Sequence, residues 1–305
     1  MMPQKAISVV GSIHMDFIIF TERFPKPGET ITGKQFEMQP GGKGANQAVA
    51  AARLGKEVYM IGRVGDDYIG NLLIKNLEEN KVNTLHVFET PQVHSGVALI
   101  TVDSEGENTI VVAPGADNHL LPKDIDRAEK SFKKSEILLI QYEIPIETIQ
   151  YAVKKAKEYS LKVIVNPAFV RKLPEGFYKY VDILTPNRIE AFEITGEKNI
   201  IDAGRKLLKM GVKTVVITLG AEGALVLHEK GHLKIPAIKV KPVDTTGAGD
   251  AFNGALAVAI LEEKDIEEAV KFASAAAALK VTKPGAQKGL PYREELENFL
   301  ENIKL

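Results

Sequence analysis

The sequence predicts an α/β protein of three layers, with helices covering both faces of a mostly parallel central sheet. Two observations predict it. Apolar β-branched runs recur between segments of helical periodicity, and the runs are continuous rather than alternating, as strands buried on both faces require. The strands fall in order at "AISVVG" (6–11), "EVYMIGRVG" (57–65), "EILLIQ" (136–141), "KVIVNP" (162–167), "VDILTPN" (181–187) and "TVVITLG" (214–220). Helical segments such as "GANQAVAAARLG" (44–55), "YIGNLLIKNLEEN" (68–80) and "IETIQYAVKKAKEYS" (146–160) separate most of them. From Ala251 onward the pattern turns mainly helical.

Two regions break the alternation. Residues 16–38 and 95–113 read as short antiparallel strands, the second with a hairpin turn at Ser104-Glu105-Gly106-Glu107. Paired with each other they would form a small sheet outside the main one, a lid. An antiparallel edge on the main sheet is the alternative. Without internal repeats or a low-complexity linker, residues 1–305 are expected to form one domain into which the lid segments are inserted.

Composition narrows the function. The 305 residues carry 39 basic and 40 acidic side chains, a net charge of −1, which argues against a broad nucleic-acid or membrane surface. The absence of cysteine excludes disulfides, thiolate metal sites and cysteine nucleophiles. The N-terminal apolar run is too short for a signal peptide, and no stretch reaches the ~18–20 apolar residues of a membrane span. The expected location is the cytoplasm.

Two phosphate-binding patterns fail. "GETITGKQ" (28–35) approaches G-x-x-x-x-G-K-[ST], but Gln35 replaces the hydroxyl that would meet Mg²⁺. At 247–254 the third glycine of G-x-G-x-x-G comes two places late, which leaves little support for an NAD enzyme. "PGGKGANQA" (40–48) carries more. Gly41, Gly42 and Gly44 let backbone approach a ligand, Lys43 adds a positive charge, and Asn46 offers donor and acceptor. A glycine turn into a tightly packed Ala-rich helix explains the same residues. "DTTGAGDAFNGAL" (244–256) places glycines before a helix, as an anion site does, yet sets a carboxylate, Asp250, where the anion should sit. Asp250 is either a helix cap or a reacting group.

Taken together and in order, "PGGKGANQAVAAARLG", "NP", "TPNRIEAFEITG", "TLGAEG" and "DTTGAGDAFNGAL" resemble the ribokinase family of carbohydrate kinases. The resemblance runs from "GSIHMD" to "VTKPGAQKGLP", essentially the whole chain, and "GGKGANQAVAAA" with "GETITG" narrows it to the ribose-phosphorylating branch. It implies a ribokinase-like fold and ATP-dependent phosphorylation of D-ribose at the 5-hydroxyl. The N–H groups of Gly247, Ala248 and Gly249 would form the anion hole for the transferring phosphoryl group, and Asp250 would take the hydroxyl proton.

By the same resemblance, the sugar would be held by His14, Asp16, Gly42, Lys43, Asn46 and Glu143. A neutral, hydroxyl-rich furanose suits such paired acceptors, although Asp16 and Glu143 taken singly are ordinary surface charges. Asn187 and Glu190 would meet Mg²⁺ and phosphate, usually through water. Thr218, Gly220 and Gly223 match a nucleotide loop that also reads as a strand-turn-strand hairpin, and Ser274 falls at the adenine-side position. An activating K⁺ is implied beside the anion hole, between Asp244 and Thr246 on one loop and Lys280, Lys283, Gly285 and Gly289 on another, largely through backbone carbonyls. Exposed edges on the lid suggest a homodimer formed through it.

Two positions depart from the family pattern. His14 in "GSIHMD" stands where Asn is usual at a sugar contact, and Asp117 in "PGADNH" also replaces a common Asn. The first leaves open a kinase for another furanose or a nucleoside. A catalytically silent sugar- or nucleotide-binding regulator is the reading from another class.

Overall fold

The computed structural model describes residues 5–174 and 176–303. β1 (Ala6–Val10) opens the main sheet, and β2 (His14–Phe20) leaves it for a second, smaller one. β3 (Gln35–Gly41) pairs with β2 and runs directly into α1 (Lys43–Arg53). β4 (Glu57–Gly65), α2 (Tyr68–Glu79) and β5 (Asn83–Thr90) complete one wing, and β6 (Gly96–Val102) and β7 (Asn108–Ala113) return to the small sheet. The other wing contains α3 (Pro122–Arg127), α4 (Glu129–Lys134), β8 (Ser135–Gln141), α5 (Ile146–Glu158) and β9 (Lys162–Asn166). β10 (Ile183–Leu184), α6 (Arg188–Thr195), α7 (Ile200–Lys209), β11 (Thr214–Thr218), β12 (Ala224–His228) and β13 (Gly231–Ile235) extend it. α8 (Ala248–Leu261), α9 (Ile266–Val281) and α10 (Arg293–Asn302) close the chain.

Among the described residues the main sheet has nine strands in the order β13-β12-β11-β10-β9-β8-β1-β4-β5. All neighbours are parallel except β11–β12 and β12–β13. Alternate residues of a central strand feed opposite cores, which explains the continuous apolar runs. Ile137 and Leu139 of β8 face a core shared with α1, α2, α8 and α9, whereas Leu138 and Ile140 face one shared with α3, α4, α5 and α7. The three-layer architecture is therefore as the sequence predicts. The antiparallel edge of the main sheet is β12–β13, not the two segments that break the alternation.

Those segments form the separate small sheet, in the order β3-β2-β6-β7. Its strands begin at His14 and extend to Gly41, beyond the predicted 16–38, and residues 21–34 are not strand. The sheet is mixed. β2–β3 and β6–β7 are antiparallel, but β2–β6 is parallel, because β2 and β6 each emerge after a strand of the parallel sheet, β1 and β5. A second correction concerns 181–187, where only Ile183–Leu184 pairs as strand. Pro186 cannot donate to a ladder and Asn187 already caps α6.

α8 packs unusually close to α1. A Cβ on Gly254 would stand 2.5 Å from Ala50 Cβ and 2.9 Å from Gln47 O. The small residues of "NGAL" and "NQAVAAA" thus bring two helix N-termini to the same end of the sheet.

Candidate active site

The predicted site residues gather at the carboxyl ends of the parallel strands, around the point between β1 and β8 where the connections diverge in opposite directions. Across that point Ser12 Oγ donates to Glu143 Oε2, which also accepts the Lys43 N–H at 3.0 Å. Backbone approach is tight here. A Cβ on Gly42 (φ 90°) would lie 2.7 Å from Ser12 O and 2.9 Å from His14 N, and one on Gly44 would lie 2.6 Å from Gly11 C.

Asp250 lies in the first turn of α8, buried, behind Gly247, whose φ of 76° is the left-handed conformation that starts the helix. Its Oδ2 accepts from Asn46 Nδ2 at 2.9 Å and its Oδ1 from Gln47 Nε2 at 3.0 Å. Burial pushes the carboxyl above its ordinary value, against the pull of Lys43 and the two amides. It does not act as the N-cap acceptor of α8, where no side-chain cap bond is made. Among the described residues the N–H groups of Gly247 and Gly249 have no partner, but that of Ala248 donates to Thr245 O at 3.1 Å. Ala248 is therefore engaged in this conformation, unlike the other two expected anion-hole donors.

Behind Asp250 runs a buried amide network that sequence reasoning missed. Gln47 Nε2 also bonds Asn166 Oδ1 (3.1 Å), and Gln47 Oε1 accepts from Gln141 Nε2 (2.6 Å). Asn46 Oδ1 accepts from Gln287 Nε2 at 2.9 Å. Thr185 Oγ1 bonds Asn253 Oδ1 (2.6 Å), and Asn253 Nδ2 bonds Gly249 O (2.8 Å). The available signal was two adjacent amides, Asn46 and Gln47, on a helix otherwise lined with buried alanine.

Lys43 marks the centre. Burial would lower its ammonium, but Asp250, Glu143, Glu190 and Asp16 together raise it. Four carboxylates expected separately at the sugar, the base and the nucleotide thus all act on one cation, from beyond ion-pair distance. Its Nζ lies 5.7 Å over the ring of Phe169, an exposed aromatic the sequence did not single out.

His14 and Asp16 share one face of β2, as alternate strand residues must. The two departures from the family pattern meet there: His14 Nδ1 is 3.6 Å from Asp117 Oδ2, and His14 Nε2 is 3.6 Å from Asp16 Oδ1. These are ion-pair distances rather than hydrogen bonds. Gly96, paired with His14, makes the room; a Cβ there would meet Asp117 Oδ2 at 2.6 Å. Burial opposes the imidazolium, yet Asp117, Glu143 and Asp16 outweigh it and raise His14 to about 9. Burial likewise pushes Asp16 and Asp117 up to about 6 against the His14 charge.

On the nucleotide side, Asn187 and Glu190 form a reciprocal capping box. Asn187 Oδ1 accepts from Glu190 N and Glu190 Oε2 from Asn187 N, both at 2.8 Å. Thr218 ends β11 beside them through an isolated bridge to Asn187. Gly220 (φ 58°) and Gly223 (φ 99°) make the turn into β12, and a Cβ on Gly223 would reach within 2.0 Å of Ile235 O. Ser274, half-buried on α9, makes no side-chain hydrogen bond among the described residues.

The residues expected around K⁺ also converge. Asp244 Oδ1 accepts from Thr246 N (2.9 Å) and Oδ2 from Gly285 N (2.7 Å), tying the two loops together. One expectation needs correction. Lys280 lies in the last turn of α9 rather than on the later loop, and its Nζ sits between the loops, donating to Asp244 O at 2.9 Å and Lys283 O at 3.4 Å.

This arrangement belongs to a sugar kinase by family. The chain is a member of the pfkB family of carbohydrate kinases, which it matches over residues 4–293. It is 41% identical over 304 residues to the ribokinase of Haemophilus influenzae, covering 98% of this chain and 99% of that protein. It is 38% identical over 300 residues to the deoxyribokinase of Salmonella typhi, covering 96% and 98%. The fold superposes on Arabidopsis thaliana ribokinase complexed with ribose and ATP with a TM-score of 0.90, at 33% identity and 98% and 99% coverage.

Proposed function

We propose that the protein transfers the γ-phosphoryl group of ATP to the 5-hydroxyl of D-ribose, giving ribose 5-phosphate and ADP. One observation carries the reading: a buried carboxylate, Asp250, held by two amides at the N-terminus of α8 and facing the Lys43 charge. Asp250 takes the proton from the sugar hydroxyl as its oxygen attacks phosphorus in line, and the raised proton affinity suits a base. The helix N-terminus, with Gly247, Ala248 and Gly249, stabilises charge on the transferring group. Ala248 serves once its bond to Thr245 O opens.

Asp16, His14, Gly42, Lys43 and Glu143 hold the remaining hydroxyls. Asn46 uses one N–H on Asp250 and its oxygen on Gln287, so it orients the base and keeps its second N–H for the sugar. Mg²⁺ arrives with ATP as part of the substrate. Glu190 and Asn187 offer hard oxygens suited to its bound water, and the described residues hold no cluster of three acidic or histidine ligands that would bind the ion alone. Thr218, Gly220, Gly223 and Ser274 line the nucleotide.

The small sheet acts as the lid on one domain spanning residues 1–305. One face carries a row of apolar side chains in register, Met38, Phe17, Leu99 and Val111, of which Phe17 packs against the main core and the other three are exposed. A second copy covers that row in a homodimer, packing face on face rather than edge on edge. The site of action is the cytoplasm, where ATP is available. No helix among the described residues is long and apolar enough to cross a membrane.

A coupled assay across D-ribose, 2-deoxy-D-ribose, hexoses and nucleosides, with ATP and with ADP, tests the reading. It requires the highest kcat/KM for D-ribose with ATP. A preference for deoxyribose would reassign the sugar, and phosphorylation of nucleosides alone would reject it. Sugar binding without turnover would make the chain a regulator.

A further inference from the structure

Lys280 is a fully buried lysine near the end of α9, on a helix whose other buried positions are mostly alanine and need no charge to pack. A buried ammonium must find oxygen partners or lose much stability. Lys280 finds them on two loops. Its Nζ donates to the carbonyls of Asp244 (2.9 Å) and Lys283 (3.4 Å), with Asp244 Oδ2 at 3.9 Å. Gly289 closes the cradle. A Cβ there would lie 3.0 Å from Lys280 Cε, 2.9 Å from Gly285 O and 3.1 Å from Lys283 O. Backbone carbonyls and one carboxylate therefore converge on the head of a lysine, the hard-oxygen donor set that suits a monovalent cation.

The family resemblance places K⁺ at these same loops, and the residues present do not fit it. A metal ion bound to the Asp244 and Lys283 carbonyls would share them with an ammonium already in contact, at the cost of like-charge repulsion in a buried place. We propose that the Lys280 ammonium is itself the monovalent cation of the anion-hole loop, covalently tethered and always present, so that turnover does not depend on K⁺. It is a positioning residue. It holds Asp244, whose carboxylate grips Thr246 N and Gly285 N, and so fixes the turn that ends in Gly247 and Asp250. The inference rests on the kinase reading for its consequence in turnover, though not for the occupancy of the site.

The experiment has two readouts. Initial rates of the intact enzyme are compared in the chlorides of K⁺, Na⁺ and tetramethylammonium at matched ionic strength, and the melting temperature is recorded in each. The proposal expects equal rates, within about twofold, and no K⁺-specific rise in Tm, since a ligand stabilises only a fold that binds it. Lys280→Ala should empty the cradle. Its rate should fall severalfold in tetramethylammonium and recover in K⁺, and its Tm should gain a K⁺-specific increase. A wild-type rate or Tm that rises specifically with K⁺ would overturn the proposal. So would a folded Lys280→Ala enzyme indifferent to the cation in both readouts. Should that variant not fold, the wild-type comparison decides alone. Absence of sugar phosphorylation in every salt would reject the kinase reading, while the Tm comparison would still judge the occupancy.

Discussion

Asn46 and Gln47 are consecutive in sequence, yet they grip the two oxygens of one carboxylate, Asp250, at 2.9 Å and 3.0 Å. A buried carboxylate held at both oxygens can aim its lone pairs only one way, so α1 determines where α8 presents its base. Gln47 is the more consequential partner, because it also satisfies Asn166 and Gln141. Gln47→Ala should cost roughly 1–3 kcal/mol, the penalty for unpaired buried polar groups. It should also lower kcat with little change in KM for the sugar. Urea unfolding and steady-state kinetics check both halves; normal kcat in a destabilised variant would reduce the network to a packing role.

Gly254→Val tests the helix contact that makes this possible. The added side chain would overlap Ala50 and the Gln47 carbonyl, backbone and methyl groups that cannot swing aside. Overpacking of this kind costs roughly 1–3 kcal/mol, and separation of α1 from α8 should pull Asp250 from its amides. We expect a lower urea midpoint together with a fall in kcat. A midpoint unchanged by the substitution would contradict the close packing.

The His14–Asp117 pair predicts a pH dependence of stability. His14 is raised from 6.5 to about 9, so between those values the folded chain holds a proton that the unfolded chain releases. Its contribution is complete below pH 6.5 and is lost as pH rises through about 9. Wild-type stability should fall across that window by roughly 1–3 kcal/mol, and His14→Asn should flatten the slope. Urea melts at the two ends of the window measure it. Because His14 also faces Asp16, the same variant should alter the ranking of ribose against deoxyribose. Parallel pH profiles for the two proteins would remove the charge from His14.

The apolar row on the small sheet predicts the assembly. Leu99→Glu places a charge at the centre of the row between Phe17 and Val111, on a residue exposed in the single chain. Sedimentation should show a wild-type dimer and a monomeric variant with little loss of unfolding free energy. A wild-type monomer, or a variant that remains dimeric, would leave the row unpartnered.

Much of this was legible in the sequence, and the exceptions have physical causes. Strands such as Glu57–Gly65 were readable to the residue because burial on both faces leaves a nearly continuous apolar run, in which the buried Arg63 is tolerated through its pairing with Asp124. β10 was not, because a two-residue strand ending before Pro186 carries almost no pattern. The base and its glycines stood out because a carboxylate at an anion site is chemically odd. The amides behind that base did not, since Gln141, Asn166 and Gln287, which bond its partners Gln47 and Asn46, come from three distant segments and become neighbours only on folding. Likewise the motif located both His14 and Asp117, but only the structure shows that each faces the other. Lys280 was expected on the later loop of a cation site, since helical periodicity says which face is buried but not where an ammonium near the end of α9 will reach.

The central claim is that Asp250 accepts the sugar proton, and Asp250→Asn tests it most directly. The amide keeps the shape and leaves one oxygen to accept from Asn46 or Gln47, but it cannot take a proton at neutral pH. The measurement is kcat with saturating D-ribose and ATP, alongside nucleotide affinity for the same variant. Loss of a general base predicts a fall of roughly 10²–10⁴-fold in kcat, with ATP affinity held or improved because a negative charge has left the phosphate site. A variant that keeps more than about half of the wild-type kcat would contradict the claim, since no general base is worth so little.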